Sequence, residues 1–221
     1  MIVTEQKKFE EVLDSLEGHN KIFIVGCGSC ATAWHTGGET EVKEMAARLE
    51  DQGKQITGWV VVDEPCDERK SKKELSRTYR QQVADSDALL VMSCGAGVQT
   101  VALSGVNKPV YPALNSLYLA RVERLSKSDE RCILCGDCVL AWTGGICPVT
   151  ICPKGLLNGP CGGSQDGRCE VDATKECAWV AIYERLQALG QEEKLLVYRS
   201  PKNYSKMIHP RRVEKKAAVP A

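Results

Sequence analysis

The chain has 221 residues, with 29 basic and 29 acidic side chains, no formal net charge and 5% aromatic residues. Neutral charge and scarce aromatics give no electrostatic pull toward nucleic acid or an anionic membrane, and no nucleic-acid role is expected. No apolar run reaches the roughly twenty residues of a membrane span, so none is expected. Residues 1–18 lack the basic and apolar regions of a secretory leader, so a cytoplasmic location is expected, where thiols stay reduced. The outlier is cysteine, twelve in all. In a reducing compartment these read as ligands, with disulfides second. The length leaves room for two domains.

Phe9, Val12, Leu13 and Leu16 recur at helical spacing and predict a first helix closed by Gly18. Ile22 to Val25 is a short apolar run that predicts a buried strand. A helix follows over about 38–52, with Val42, Met45, Ala46 and Leu49 on one face, and then a second strand over Ile56 to Val62. A polar helix over about 72–84, a third strand over Ala88 to Met92, a short helix over 97–103 and a fourth strand over 109–111 complete the alternation. Strands alternating with helices imply βαβ units, so the fold class expected is α/β, a Rossmann- or flavodoxin-like parallel sheet. It occupies about 1–125, and 115–125 is read as a linking helix with Leu117, Ala120 and Leu125 on its packing face.

Cys27 and Cys30 follow the first strand, Cys66 the second and Cys94 the third. With right-handed crossovers all four thiols reach the same carboxyl edge, where open α/β sheets bind ligands. A four-cysteine metal site is the favoured reading. Two others stay open: buried core thiols, and a dinucleotide site, because Gly26-Cys-Gly-Ser-Cys-Ala31 fits G-x-G-x-x-A with Asp63 closing the next strand.

From residue 126 the pattern changes to a small, irregular cysteine-rich domain over 126–190, with a polar arm or tail over 191–221. Cysteine stands at 132, 135, 138, 147, 152, 161, 169 and 177, with few large apolar residues between. Cys132-x-x-Cys135-x-x-Cys138 resembles the three-thiolate run that wraps a cubane in bacterial ferredoxins, although the usual next spacing is absent. Structural zinc is the alternative. The division of these eight thiols into quartets stays open. Asn158-Gly-Pro-Cys-Gly-Gly163 predicts a sharp turn. Trp142 and Trp179 are read as shielding or core, and 179–189 as a helix stopped by Gly190. Leu195 to Tyr198 is read as a short strand or arm.

Cys147-Pro-Val-Thr-Ile-Cys-Pro-Lys-Gly-Leu-Leu-Asn-Gly-Pro-Cys-Gly-Gly163, with Cys132-x-x-Cys-x-x-Cys138 and Gly167-Arg-Cys169, resembles the methylenetetrahydrofolate reductase C-terminal family. Gly26-Cys-Gly-Ser-Cys30, Thr36-Gly-Gly-Glu-x-Glu41 and Asp63-Glu-Pro-Cys66 look like its stand-alone form, the small iron–sulfur subunit of two-subunit methylenetetrahydrofolate reductases. The resemblance implies two or three [4Fe–4S] clusters on the twelve cysteines, with zinc possible at one site. It also implies an electron-transfer role beside a flavin-containing catalytic subunit that makes 5-methyltetrahydrofolate. The external donor would be ferredoxin or a larger flavin-based complex. The alternative is a zinc-stabilised structural or interaction subunit without a redox role.

Overall fold

The computed structural model describes residues 1–124 and 127–212. The chain divides into two compact units, Met1–Asp129 and the part from Glu130 onward. The first is built on a parallel sheet of β2 (Lys21–Cys27), β3 (Gln55–Val62), β4 (Ala88–Met92) and β5 (Val110–Pro112), in the order β3-β2-β4-β5. The four-stranded parallel sheet expected from the sequence is present. Its order reverses between β2 and β4, which makes their carboxyl ends the topological switch point of the sheet. Pro112, which cannot donate to a ladder, lies on the edge strand β5, where that omission costs least.

Alternation along β2 explains why both faces are covered. Ile22 and Ile24 point into one core with Val12 of α1 (Phe9–Ser15), Leu16 at its C-cap, and Val42, Met45 and Leu49 of α3 (Glu39–Asp51). Phe23 and Val25 point into the other, with Leu75, Val83 and Val101. All four β2 side chains are fully buried; each stabilises the unit by about 1.5–3 kcal/mol relative to exposure. The second core is covered by α4 (Glu68–Lys73), a π-helical turn at Glu74–Thr78, α5 (Arg80–Asp85) and α6 (Gly95–Leu103). The single helix expected over 72–84 is therefore broken into three pieces. A one-turn helix, α2 (Cys30–Ala33), precedes α3.

One expectation fails here. The segment read as a linking helix is a strand, β6 (Leu114–Arg124), paired antiparallel with β1 (Ile2–Gln6) and flanked by β7 (Lys127–Glu130). Ladder bonds to β1, which the sequence reading did not anticipate, hold it extended. Leu117, placed on a packing face by helical spacing, is 48% exposed. Leu125 and Ser126 lie outside the described residues.

The second unit has little regular structure: α7 (Pro148–Ile151), α8 (Ala178–Ala188) and short 3-10 turns. Its core consists of Trp179, Ile182 and Leu186, with Ile146, Cys152, Leu156 and Cys177 packed against them. Trp179 is core, as expected, and its indole N–H donates to the Leu156 carbonyl at 3.1 Å. Trp142 is 44% exposed and carries the Arg199 guanidinium 3.5 Å above its ring, so it stacks on a cation instead of shielding. Of the strand or arm expected over Leu195 to Tyr198, no strand forms: Leu195 and Leu196 end a 3-10 turn over Glu192–Leu196. Glu214-Lys-Lys216 of the tail lies outside the described residues.

Candidate metal centre

In the first unit Cys27 is the last residue of β2, level with Val62 of β3, and Gly26 pairs with Met92 of β4. Cys30 opens α2, Cys66 follows β3 by four residues, and Cys94 is the N-cap of α6. The four thiols feel one another electrostatically. Burial pushes the Cys27 thiol up; backbone N–H groups of Ala31 and Ser29 oppose this, and repulsion from Cys30 and Cys94 adds to it. Cys66 is pushed up by desolvation and then by repulsion from Cys94, Cys27 and Cys30. Such mutual repulsion is what a cation between them would relieve.

Two glycines make this edge possible. A Cβ on Gly37 would lie 2.2 Å from the Met92 carbonyl oxygen, and one on Gly97 would meet the Ser93 hydroxyl at 2.4 Å and Pro65 at 3.1 Å. Gly37 thus lets the loop before α3 lie on β4, while Gly97 lets α6 approach the Pro65–Cys66 loop. The Thr100 hydroxyl of α6 donates to the Ala96 carbonyl at 2.9 Å and lies 3.4 Å from the Cys66 carbonyl, so the helix and that loop are in contact there. Thr4 and Trp34 here escaped the sequence reading, and Thr36 entered it only as the start of the Thr36-Gly-Gly-Glu motif. Thr4 and Thr36 share a buried hydroxyl contact of 2.6 Å that ties β1 to the loop after α2. The buried Trp34 indole nitrogen, four residues past Cys30, has no hydrogen-bond partner; its only sequence signal was a tryptophan beside a cysteine motif.

The dinucleotide reading loses its physical basis in this geometry. Gly26-Cys-Gly-Ser-Cys-Ala31 leads into a helix of four residues, too short to offer a macrodipole to pyrophosphate. The longer α3 begins with Glu39 and Glu41, and the Glu41 carboxylate already accepts from the Gly38 N–H at 2.8 Å.

The second unit divides its eight thiols in two, a division the sequence left open. Cys132, Cys135, Cys138 and Cys147 line one cavity of about 580 Å³. Cys152, Cys161, Cys169 and Cys177 line another of about 10 Å³, room for about one water. In the first, the Leu134 N–H donates to the Cys132 sulfur at 3.4 Å, with Leu134 in the left-handed region at φ 57°. In the second, the Asp166-Gly167 turn folds Gln165 against Arg168, and Cys177 N–H donates to Gly167 O at 2.8 Å, bringing Cys169 toward Cys177. The Gly163 N–H, and then Lys154, hold the Cys161 thiol below the usual range. Cys147 caps α7 at its start and Cys152 at its end, so the two groups are joined by one short helix, about 7.5 Å of rise at 1.5 Å per residue.

All twelve cysteines are free thiols. Among the described residues no three His, Cys, Asp or Glu side chains converge closely enough to hold a metal ion as they stand. The donor chemistry is nonetheless selective. The walls offer soft thiolates and no imidazole, a set suited to iron–sulfur or zinc and ill suited to magnesium or calcium. Among the described residues no helix is long and apolar enough to cross a membrane.

Taken together, the molecule is an α/β domain followed by a unit in which eight cysteines line two cavities, four to each. Residues 111–205, which hold all eight later cysteines, match the family model described as methylene-tetrahydrofolate reductase C terminal. No curated protein matches the chain. Among solved structures, a LacI family transcriptional regulator from Arthrobacter sp. FB24 in complex with lactose aligns at 16% identity and a TM-score of 0.32, covering 43% of this chain and 33% of that one. The chain therefore spans about a third of that regulator's length, a likeness too slight to bear on fold or function.

Proposed function

We propose that this chain is the electron-transfer iron–sulfur subunit of a methylenetetrahydrofolate reductase complex. It would serve a separate flavin-bearing subunit that makes 5-methyltetrahydrofolate, and would be charged by ferredoxin or a larger flavin-based complex. The observation that carries this reading is the division of eight thiols into two walled groups of four within the stretch matched by the family. When bound, a [4Fe–4S] cluster supplies a one-electron store whose charge is spread over several irons. Cys132, Cys135, Cys138 and Cys147 would hold one. A second falls to Cys152, Cys161, Cys169 and Cys177, and a third to Cys27, Cys30, Cys66 and Cys94.

The chain's own groups have defined tasks in this arrangement. The Leu134 and Gly163 N–H groups, aimed at sulfur, stabilise negative charge there. Trp179 and the buried Ile182 keep water from one side of the second quartet. Anaerobically purified protein should be brown, with roughly 8–12 irons per chain and matching acid-labile sulfide. Colourless protein with stoichiometric zinc and no sulfide would end the redox reading.

A second reading is favoured at one place. A cavity of about 10 Å³ suits a single ion better than a cubane, so Cys152, Cys161, Cys169 and Cys177 would there hold tetrahedral zinc. Zinc at one equivalent beside roughly eight irons would identify this mixed case.

A further inference from the structure

Between Lys194 and Arg212 the chain carries six basic residues and no acidic one, although its overall charge is zero. The sequence alone presents this stretch as a polar tail. In the structure, part of it lies on the cysteine loop. Lys202 is only 9% exposed, and its ammonium donates to the Asp137 carbonyl. That carbonyl also accepts the Cys135 thiol at 3.6 Å. Arg211 donates from Nη1 to the Leu134 carbonyl at 2.7 Å. Lys206 stands 3.8 Å from the Asp137 carboxylate, and a Cβ on Gly136 would lie 3.0 Å from the Lys206 Cβ. Both Lys202 and Arg211 line the cavity of Cys132, Cys135, Cys138 and Cys147.

One cation therefore holds the carbonyl inside each C-x-x-C interval: Arg211 between Cys132 and Cys135, Lys202 between Cys135 and Cys138. We infer that residues 199–212 form a cationic clamp, in which Lys202 and Arg211 are positioning residues that set the three-cysteine loop and favour electron uptake by the group it holds. This rests on the iron–sulfur reading above for that quartet. Four thiolates and a cluster concentrate negative charge, and a buried cation beside them, as Lys202 is, is poorly screened. Adding an electron is then easier than it would be beside a neutral side chain. A tail serving only as a disordered linker would not place a lysine at 9% exposure.

The test compares the full-length protein, purified anaerobically, with K202M, K202R and R211M. Iron and sulfide are counted, and each EPR signal is followed through a redox titration. K202M should shift one signal to more negative potential, lowering its reduced-to-oxidised ratio severalfold at a fixed poise. K202R should stay near the wild type, and signals from the other quartets should not move. If K202M instead loses that centre's iron, restoration by K202R supports the clamp and an iron-free K202R overturns it. Retained iron with an unmoved signal in K202M and R211M also overturns it. If the wild-type protein itself holds no iron, the redox reading fails separately. The clamp is then read from alkylation of Cys135 and Cys138 in the metal-free chain: severalfold faster labelling in K202M and R211M sustains it as a loop-setting device, and equal rates remove it.

Discussion

The two units gather cysteines by opposite means. In the first, four cysteines are carried to one sheet edge because three parallel strands end there, and the sheet that carries them is held by two apolar cores. In the second, eight thiols are collected by loops and a one-turn helix around three buried apolar residues. The first fold can stand without its ligand and would hold metal as a passenger. The second has only a small apolar core to offset its chain entropy, so if it takes metal as proposed, metal binding and folding would be one equilibrium.

The largest effect should come from stripping metal. Anaerobic chelation is expected to abolish amide-exchange protection across α8 and the loops of 130–212 while leaving β2 and β4 protected. Equal loss in both units, or none in the second, would erase the distinction. Next, Cys94→Ser should remove about a third of the iron, as the loss of one of three four-thiolate sites implies. The signals of the two later quartets should remain. If those signals vanish too, the thiols of the first unit are not independent of the rest.

The same contrast governs what could be read from the sequence. Strands β2 to β5 were legible because each is an apolar run between turn residues, and the placing of Cys27, Cys66 and Cys94 at one edge followed from topology alone. The sheet of β1 and β6 was not legible. Its strands are polar on much of their surface, and Leu117 and Ala120 happen to fit a helical period; only the long-range pairing of Ile2 with Leu119 decides the matter. The quartets were illegible for a related reason. Spacing fixes which thiols are near in the chain, but Cys147 and Cys152, five residues apart, belong to different groups because they sit at opposite ends of α7. Lys202 gave no signal either, since a lysine in a basic tail looks solvated until its carbonyl partner is known.

Core substitutions sharpen the comparison at the next scale. Leu90, fully buried in β4, should cost about 2–5 kcal/mol on replacement by alanine. A denaturant titration followed through the first unit's transition checks it. Gly37→Ala should cost about 1–3 kcal/mol, since its Cβ would press on the Met92 carbonyl at the carboxyl end of the central strand β4 and the strand must yield. Neither change should alter the metal content of the second unit; if either does, the two units do not hold their ligands separately.

The smallest effect is a local one at the opposite end of β2 from its cysteine. Asp87 accepts the N–H groups of Asn20 at 3.0 Å and Lys21 at 2.8 Å, and these bonds hold its carboxyl below the usual carboxylate range. A depressed folded value means that the contribution is complete above the ordinary carboxylate pKa and fades as pH falls through the lower, folded one. Asp87→Asn should therefore speed amide exchange at Asn20 and Lys21 at neutral pH. The gap from wild type should narrow below about pH 4, where the unfolded carboxyl is protonated. A gap that widened with acid would mean that charge on Asp87 opposes the start of β2. The cysteine edge should be untouched in either case, because the sheet, not its ligand, positions it.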